Sequence, residues 1–346
     1  MDHLRVEHSW ERRVGRRTLS ARVLVQIAAI AIVVVVAYRE RHLFTGFGAI
    51  MSRLAWHWVV LAFVAELASI PPLAEAQLIV LRAGGTRPDR WRINLVTLAS
   101  NAVSMSVPAG VAVAEGYTYA RYRRLGASPA VAAWAELASG ALAFAALAVM
   151  ALTGAVIAGG PAGRVLLPLL SVVVAGSLAA AALFRHPHIL IAGIDWIERH
   201  VGRRLGPLVA RAAERTRELS QQLSFSHPTL GTWMAAFWLS TVNWLLDAVC
   251  LALCFAAVGG PIPLGVVLLA FAGSKVVSSV GITPGGVGIV EGGLVATFVA
   301  YGTSGPTTVA AVLVYRALTF IGLVGIGWVA AALLSVQTPR RARPGR

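Results

Sequence analysis

The stretch Thr283-Pro284-Gly285-Gly286-Val287-Gly288-Ile289-Val290-Glu291-Gly292-Gly293 stands between apolar runs that otherwise read as ordinary membrane helices. Pro284 removes a backbone donor, the glycines that follow weaken the helix further, and Glu291 places a carboxylate at membrane depth. Broken backbone inside a bilayer is tolerated only where protein or water covers it. The segment is therefore expected to line a cavity rather than to face lipid.

The same pattern occurs upstream as Pro108-Ala109-Gly110-Val111-Ala112-Val113-Ala114-Glu115-Gly116. Each copy follows an apolar run and carries its acid seven residues after the proline. One such match is ordinary in a chain rich in Ala, Gly and Val. Two with the same spacing read as an internal repeat, the sequence pointer to a transporter-type site.

The composition fits that reading. The 346 residues are 57% hydrophobic and 13% charged, with a mean hydropathy of +0.73. This is the profile of an integral membrane protein with no room for a large soluble domain. Residues 1–22 are polar and basic, and Val23 to Ala37 reads as an uncleaved first span. Cys250 and Cys254 lie one helical turn apart in an apolar run, too few for a disulfide framework or a zinc site, and read as packing residues.

A net charge of +15 raises the possibility of nucleic acid, but the position of the charges argues against it. Arginines cluster between apolar runs, at Arg5–Arg22, Arg82–Arg92, Arg121–Arg124, Arg185–Arg217 and Arg340–Arg346. One topology places all five clusters on the cytoplasmic side, so the basicity is an orientation signal whose partners are anionic headgroups. That topology has full spans at 23–37, 56–81, 128–158, 165–184, 229–258 and 307–336. The run 93–114 lies between two cytoplasmic clusters, so it must enter and leave by one face, as a hairpin turning at Pro108. Its descending arm, about 22 Å long, is short of a full core. The second motif must dip from the opposite face. The expected fold is an all-α polytopic membrane bundle with two re-entrant Pro/Gly hairpins in an inverted repeat. Residues 23–336 form one transmembrane domain, and the basic tails 1–22 and 337–346 are both cytoplasmic in the inner cell membrane. The loop 185–228 reads either as an amphipathic helix in the headgroup region or as a solvated linker.

Eight ionisable residues fall within apolar runs: Glu66, Glu75, Glu115, Glu136, Asp247, Lys275, Glu291 and Arg316. Many such groups cost roughly 2.5–3.5 kcal/mol at a helix centre, so these should pair or line water. Lys275, nine residues before Pro284, and Glu291, seven after it, would sit at similar depth on opposed arms and form the first candidate ion pair. The alternative is that these charges merely hold the bundle together. A half-helix beginning just after Pro284 would present the amides of Gly285, Gly286, Val287 and Gly288 to a phosphate. Against this, Glu291 in the first turn would itself balance the helix dipole. No paired histidines, nucleophile elbow or P-loop are present. Metal, cofactor and ATP-driven chemistry thus find no parts, and no catalytic residue is assigned.

The second motif, preceded by Ser278 and Ser279 and followed after a span by Tyr315-Arg316, resembles the membrane-domain family of lysylphosphatidylglycerol synthase/flippase proteins. Asn101, Pro108, Gly110 and Glu115, with Arg121 and Leu125-Gly126, look like that family's first block. That block commonly reads Pro-Ala-Arg-Xaa-Gly where this chain has Pro108-Ala109-Gly110-Val111-Ala112. The resemblance implies a lipid-translocating membrane domain, fused in some relatives to an aminoacyl transferase or a glycosyltransferase. Residues 337–346 hold no such domain, so the expectation is a flippase-like protein that is not an enzyme. By resemblance Pro284, Gly285, Gly286, Gly288 and Glu291 form the functional core, with Arg316 supporting. Lys275, Asp247, Asn101, Pro108, Gly110 and Glu115 complete the candidate substrate-binding set. In this reading the carboxylates Glu115 and Glu291 receive cationic groups, and Lys275 and Arg316 receive phosphate. The alternative is an accessory subunit that presents a lipid to a separate transferase through residues 185–228.

Overall fold

The computed structural model describes residues 51–107, 109–159, 228–279 and 283–336, with isolated positions 171, 175 and 176. The expected spans 23–37 and 165–184, the loop from 185, Pro108 and both tails lie outside the described residues. Among the described residues every regular element is helical.

Two sets of four elements follow one another with matching lengths. The first set is α1 (Trp56–Ala83, 28 residues), α2 (Arg90–Ser106, 17), α3 (Gly110–Arg124, 15) and α4 (Pro129–Ala158, 30). The second is α5 (Leu230–Ala257, 28), α6 (Leu264–Ser279, 16), α7 (Ile289–Ala300, 12) and a long helix over Gly305–Val336 (32). This last helix consists of α8 (Gly305–Arg316), a π-helical segment Ala317–Gly322, and α9 (Leu323–Val336). α1, α4, α5 and the Gly305–Val336 helix are long and apolar enough to cross a membrane, and they correspond to four of the six spans expected.

Local chemistry sets these boundaries. α4 opens on Ser128, whose hydroxyl accepts from the Val131 amide at 3.2 Å, with Pro129 at the first helical position. α5 opens in the same way on Thr229, which accepts from Thr232. α1 stays helical through Pro71 and Pro72 although each removes a backbone bond. Beside the prolines, which leave the carbonyls of Leu67 and Ala68 without their helical donors, Asn243 of α5 donates to the adjacent Ser69 carbonyl at 3.0 Å and ties α5 to this turn.

Among the described elements α1 and α5 make the most extensive contact, and they run antiparallel: the Ala55 amide at the head of α1 donates to the carbonyl of Ala257 at the foot of α5. The arms of each hairpin pack on one another, α2 on α3 and α6 on α7. The helix following each hairpin packs along the first arm of the other, α4 on α6 and α9 on α2. Both of these crossings use a glycine. A methyl group at Gly154 would lie 2.6 Å from the Leu269 amide nitrogen, and one at Gly327 would lie 2.6 Å from the Ala102 Cβ. Leucine at either position is expected to cost about 1–3 kcal/mol by overpacking. This is measurable as a lower Tm in detergent, while Gly140→Ala, which meets no atom within 4 Å, does not lower it.

The apolar contacts form two clusters, one at each end of the α1/α5 pair. One gathers Val59 and Ala62 with Leu251, Phe255, Phe271, Leu294 and Phe298. The other gathers Leu78 and Leu81 with Ile93, Val96, Trp134, Trp233 and Leu334. Polar side chains lie between them.

Candidate functional site

The second Pro/Gly turn is built from residues that few side chains could replace. Thr283 is extended and its hydroxyl donates to the Val287 carbonyl at 3.0 Å, closing the loop. Pro284 begins a single 3-10 turn, after which Gly285, Gly286 and Gly288 take φ of 58°, 69° and 86°. At each of these an L side chain would cost roughly 1–2 kcal/mol. At Gly285 a Cβ would also lie 2.5 Å from Cε2 of Phe320 and 3.4 Å from the Met105 carbonyl oxygen at the end of α2. The tip of the second hairpin therefore touches the first.

The half-helix starts at Ile289, later than the sequence suggested. Three of the four amides expected to stand free are occupied. Gly286 and Val287 donate to the carbonyls of Thr283 and Pro284, and Gly288 donates to Glu291 Oε2 at 2.5 Å. Glycine has no side chain with which to complete a capping box, so Glu291 alone caps this end. Of the two readings left open by the sequence, the structure matches the one in which Glu291 balances the dipole.

Glu291 and Lys275, expected to pair with each other, have separate partners. The other Glu291 oxygen, Oε1, accepts from Arg316 Nε at 2.5 Å, and Arg316 Nη2 donates to the Gly285 carbonyl at 2.8 Å. The guanidinium also lies 5.3 Å from the centre of the Phe320 ring. One arginine thus ties the glycine turn to the helix it precedes, with charge-assisted bonds on both sides. Arg316 and Glu291 keep 11% and 21% side-chain exposure, so the pair is reachable. The sequence placed Lys275 opposite Glu291 by depth along the arms. Instead, the Glu291 side chain folds back over its own helix start, and Lys275 points from α6 toward α5.

Lys275 Nζ meets Asp247 Oδ2 at 2.5 Å, over the rings of Phe271 and Trp244. Tyr315 donates its hydroxyl to the other oxygen, Asp247 Oδ1, at 2.8 Å. Glu66, from α1, faces Asp247. The sequence reading did not single out Phe320, and it quoted Tyr315 only as part of the family resemblance, not as a site residue. The one available signal was that both flank Arg316 within five residues, on a helix that packs against α5 and continues into a π segment.

At the first hairpin, Pro108 lies outside the described residues. The next residue, Ala109, takes a left-handed φ of 54° and ψ of 32°, close to the 58° and 16° of Gly285 after Pro284. Gly110 approaches the Ser104 carbonyl so closely that no Cβ fits. Asn101 is half-buried on α2. Glu115 is exposed on α3, and its carboxyl faces Glu136 on α4 beside the Thr118 hydroxyl. Among the described residues no ion pair joins Glu115 to a cation as Arg316 is joined to Glu291. Glu75 is bound to Arg90 at 2.9 Å. Apart from Pro108, the candidate residues therefore fall into three groups: the Arg316–Glu291 turn, the Asp247–Lys275 cluster, and the first hairpin with Asn101, Gly110 and Glu115.

These features define a multi-pass helical membrane protein whose second Pro/Gly turn meets the end of α2 beside a partly buried ion pair. The chain belongs to the family described as the lysylphosphatidylglycerol synthase TM region, whose model matches residues 23–327. Membership places the protein in lipid-related membrane processes. No curated protein matches the chain significantly.

Proposed function

We propose that the protein is a lipid translocase, moving a phospholipid or lipid-linked glycan headgroup between the leaflets of the inner cell membrane, with both termini cytoplasmic and without enzymatic activity of its own. The observation that carries this reading is the contact of the second Pro/Gly turn with the end of α2, Gly285 against Met105, with Arg316 and Glu291 joined beside it. Irregular backbone at such a place is stable only around a protein-lined or watered path.

In this reading the two halves are an inverted repeat. α1 and α5 begin at Trp56 and Leu230, and α2 and α6 at Arg90 and Leu264, each pair 174 residues apart, and the first members of the two halves pack antiparallel. Hairpin arms of 12–17 residues rise about 18–26 Å, short of a core of about 30 Å, which suits re-entrant elements. The Arg316–Glu291 pair is the working part. A headgroup phosphate takes the guanidinium, a headgroup cation takes the carboxylate, and the turn is released from the helix start while the lipid passes. Anionic and zwitterionic lipids fit this exchange of partners.

The test is leaflet exchange of headgroup-labelled phospholipids in liposomes containing the purified protein. Wild type is expected to exchange label, and Glu291→Gln to slow exchange about ten- to hundredfold, the worth of one charge-assisted interaction. If wild type exchanges none of several anionic, aminoacylated and glycosylated lipids, yet stimulates a co-purified transferase, the accessory-subunit reading replaces this one.

A further inference from the structure

The polar layer between the two apolar clusters is buried. Glu66 and Ser69 on α1, and Ser240, Asn243 and Asp247 on α5, are each 5% exposed or less. Most of these groups are satisfied. The Ser69 hydroxyl donates to the Glu66 carbonyl, Ser240 to the Ala236 carbonyl, and the Asn243 amide to Ser69. Two buried oxygens of this layer lack a hydrogen-bond partner, Asn243 Oδ1 and Glu66 Oε2, and of these only Glu66 belongs to an ionisable group. Asp247, which it faces, already gives one oxygen to Lys275 and the other to Tyr315.

The charge count decides what this cluster holds. It contains two carboxylates, on residues 5% exposed or less, and one ammonium whose side chain keeps 20% exposure. Two ionised carboxylates in contact repel, whereas one proton between them turns the contact into a hydrogen bond. A metal cation would need a shell of about six oxygens, and Asp247 has none to spare. The groups facing Glu66 are Asp247 and Cys250 on α5, Lys275 on α6 and Tyr315 on α8. Among the described residues no further charged side chain acts on it.

We propose that Glu66 and Asp247 form a single-proton site that couples a proton gradient to transport. The coupling rests on the translocase reading above, while the proton site stands without it. Glu66 is the eleventh residue of α1, about 15 Å along it, near the middle of a core of about 30 Å. A path to the glycine turn is already in place. Tyr315 binds Asp247, its neighbour Arg316 binds Glu291 and Gly285, and the helix passes directly into the π segment Ala317–Gly322, an element often found where helices do functional work. Loading or losing the proton changes what Tyr315 is bonded to, one residue from the arginine that holds the turn.

Two measurements separate the proton from the transport. Infrared difference spectra of the purified protein, between acidic and alkaline buffer, should show a buried protonated carboxyl that disappears in Glu66→Gln and whose titration midpoint moves in Tyr315→Phe. A band that survives Glu66→Gln and ignores Tyr315→Phe overturns the site. If Glu66→Gln does not fold, the Tyr315→Phe midpoint decides alone. In liposomes, an imposed pH gradient should bias the labelled lipid toward one leaflet by up to about tenfold per pH unit for one proton per lipid. A trapped pH dye should report proton entry only when transportable lipid is present. A bias that follows sodium at constant pH, or exchange indifferent to the pH gradient, overturns the coupling. A carboxyl band in a protein that exchanges no lipid keeps the proton site and removes the translocase.

Discussion

Arg316→Ala is expected to abolish lipid exchange, by more than about a hundredfold, and to lower stability by about 2–3 kcal/mol. The truncation leaves the Glu291 carboxylate without its counter-charge and the Gly285 carbonyl without a donor. Loss of one partner from a fully buried pair costs about 3–5 kcal/mol, and the partial exposure of this pair reduces that figure. Arg316→Lys separates the two effects. It keeps the charge beside Glu291 but cannot hold the carboxylate and the carbonyl together through a planar fork. Most of the stability should therefore return without the exchange. Replacing both partners, as Glu291→Gln with Arg316→Gln, removes the charge imbalance and should also recover stability without transport. If exchange per folded molecule instead follows Tm across all three variants, the pair is only a packing device.

Four of the six expected long helices, the breaks that end α2 and precede α7, and the polarity of the bundle interior were legible in the sequence, because proline, glycine and intramembrane charge are read one residue at a time. Pro284 and the glycines after it predict a break wherever the helices stand, and Glu291 at a helix start predicts a cap. The pairing of charges was not legible, since it depends on the angle at which each helix presents its face. Lys275 and Glu291 share a depth along the hairpin arms, yet Lys275 faces α5, and the Glu291 side chain turns back onto the Gly288 amide. Tyr315 was quoted for its resemblance alone, because nothing in the sequence shows that it reaches Asp247 across two helices. The correspondence of the two turns extends further than their sequences indicate. Ala109 adopts the same left-handed geometry as Gly285, although only the second copy uses the residue type that favours it.

The second large effect concerns stability, and it is expected to be non-additive. Asp247 is 5% exposed and its two oxygens hold Lys275 and Tyr315, so Asp247→Ala strands an ammonium and a hydroxyl inside the bundle. Removal of one partner of a buried pair alone predicts a loss of about 3–5 kcal/mol. Glu66 changes that expectation, because it faces the same cluster with an oxygen to spare. With Asp247 gone, the Glu66 carboxylate becomes the counter-charge of Lys275, and the measured loss should fall toward the lower end of that range. With Glu66→Gln in the background no carboxylate remains for the lysine, and Asp247→Ala should cost about 1–3 kcal/mol more than it does in wild type, a coupling expected only of side chains that share a partner. Adding Lys275→Met to that double variant removes the stranded charge and should restore much of the lost stability. Denaturant midpoints in detergent for these variants measure the coupling directly. Strict additivity of Glu66→Gln and Asp247→Ala would mean that the two carboxyls do not share Lys275, and the proton site inferred from their contact would lose its structural basis.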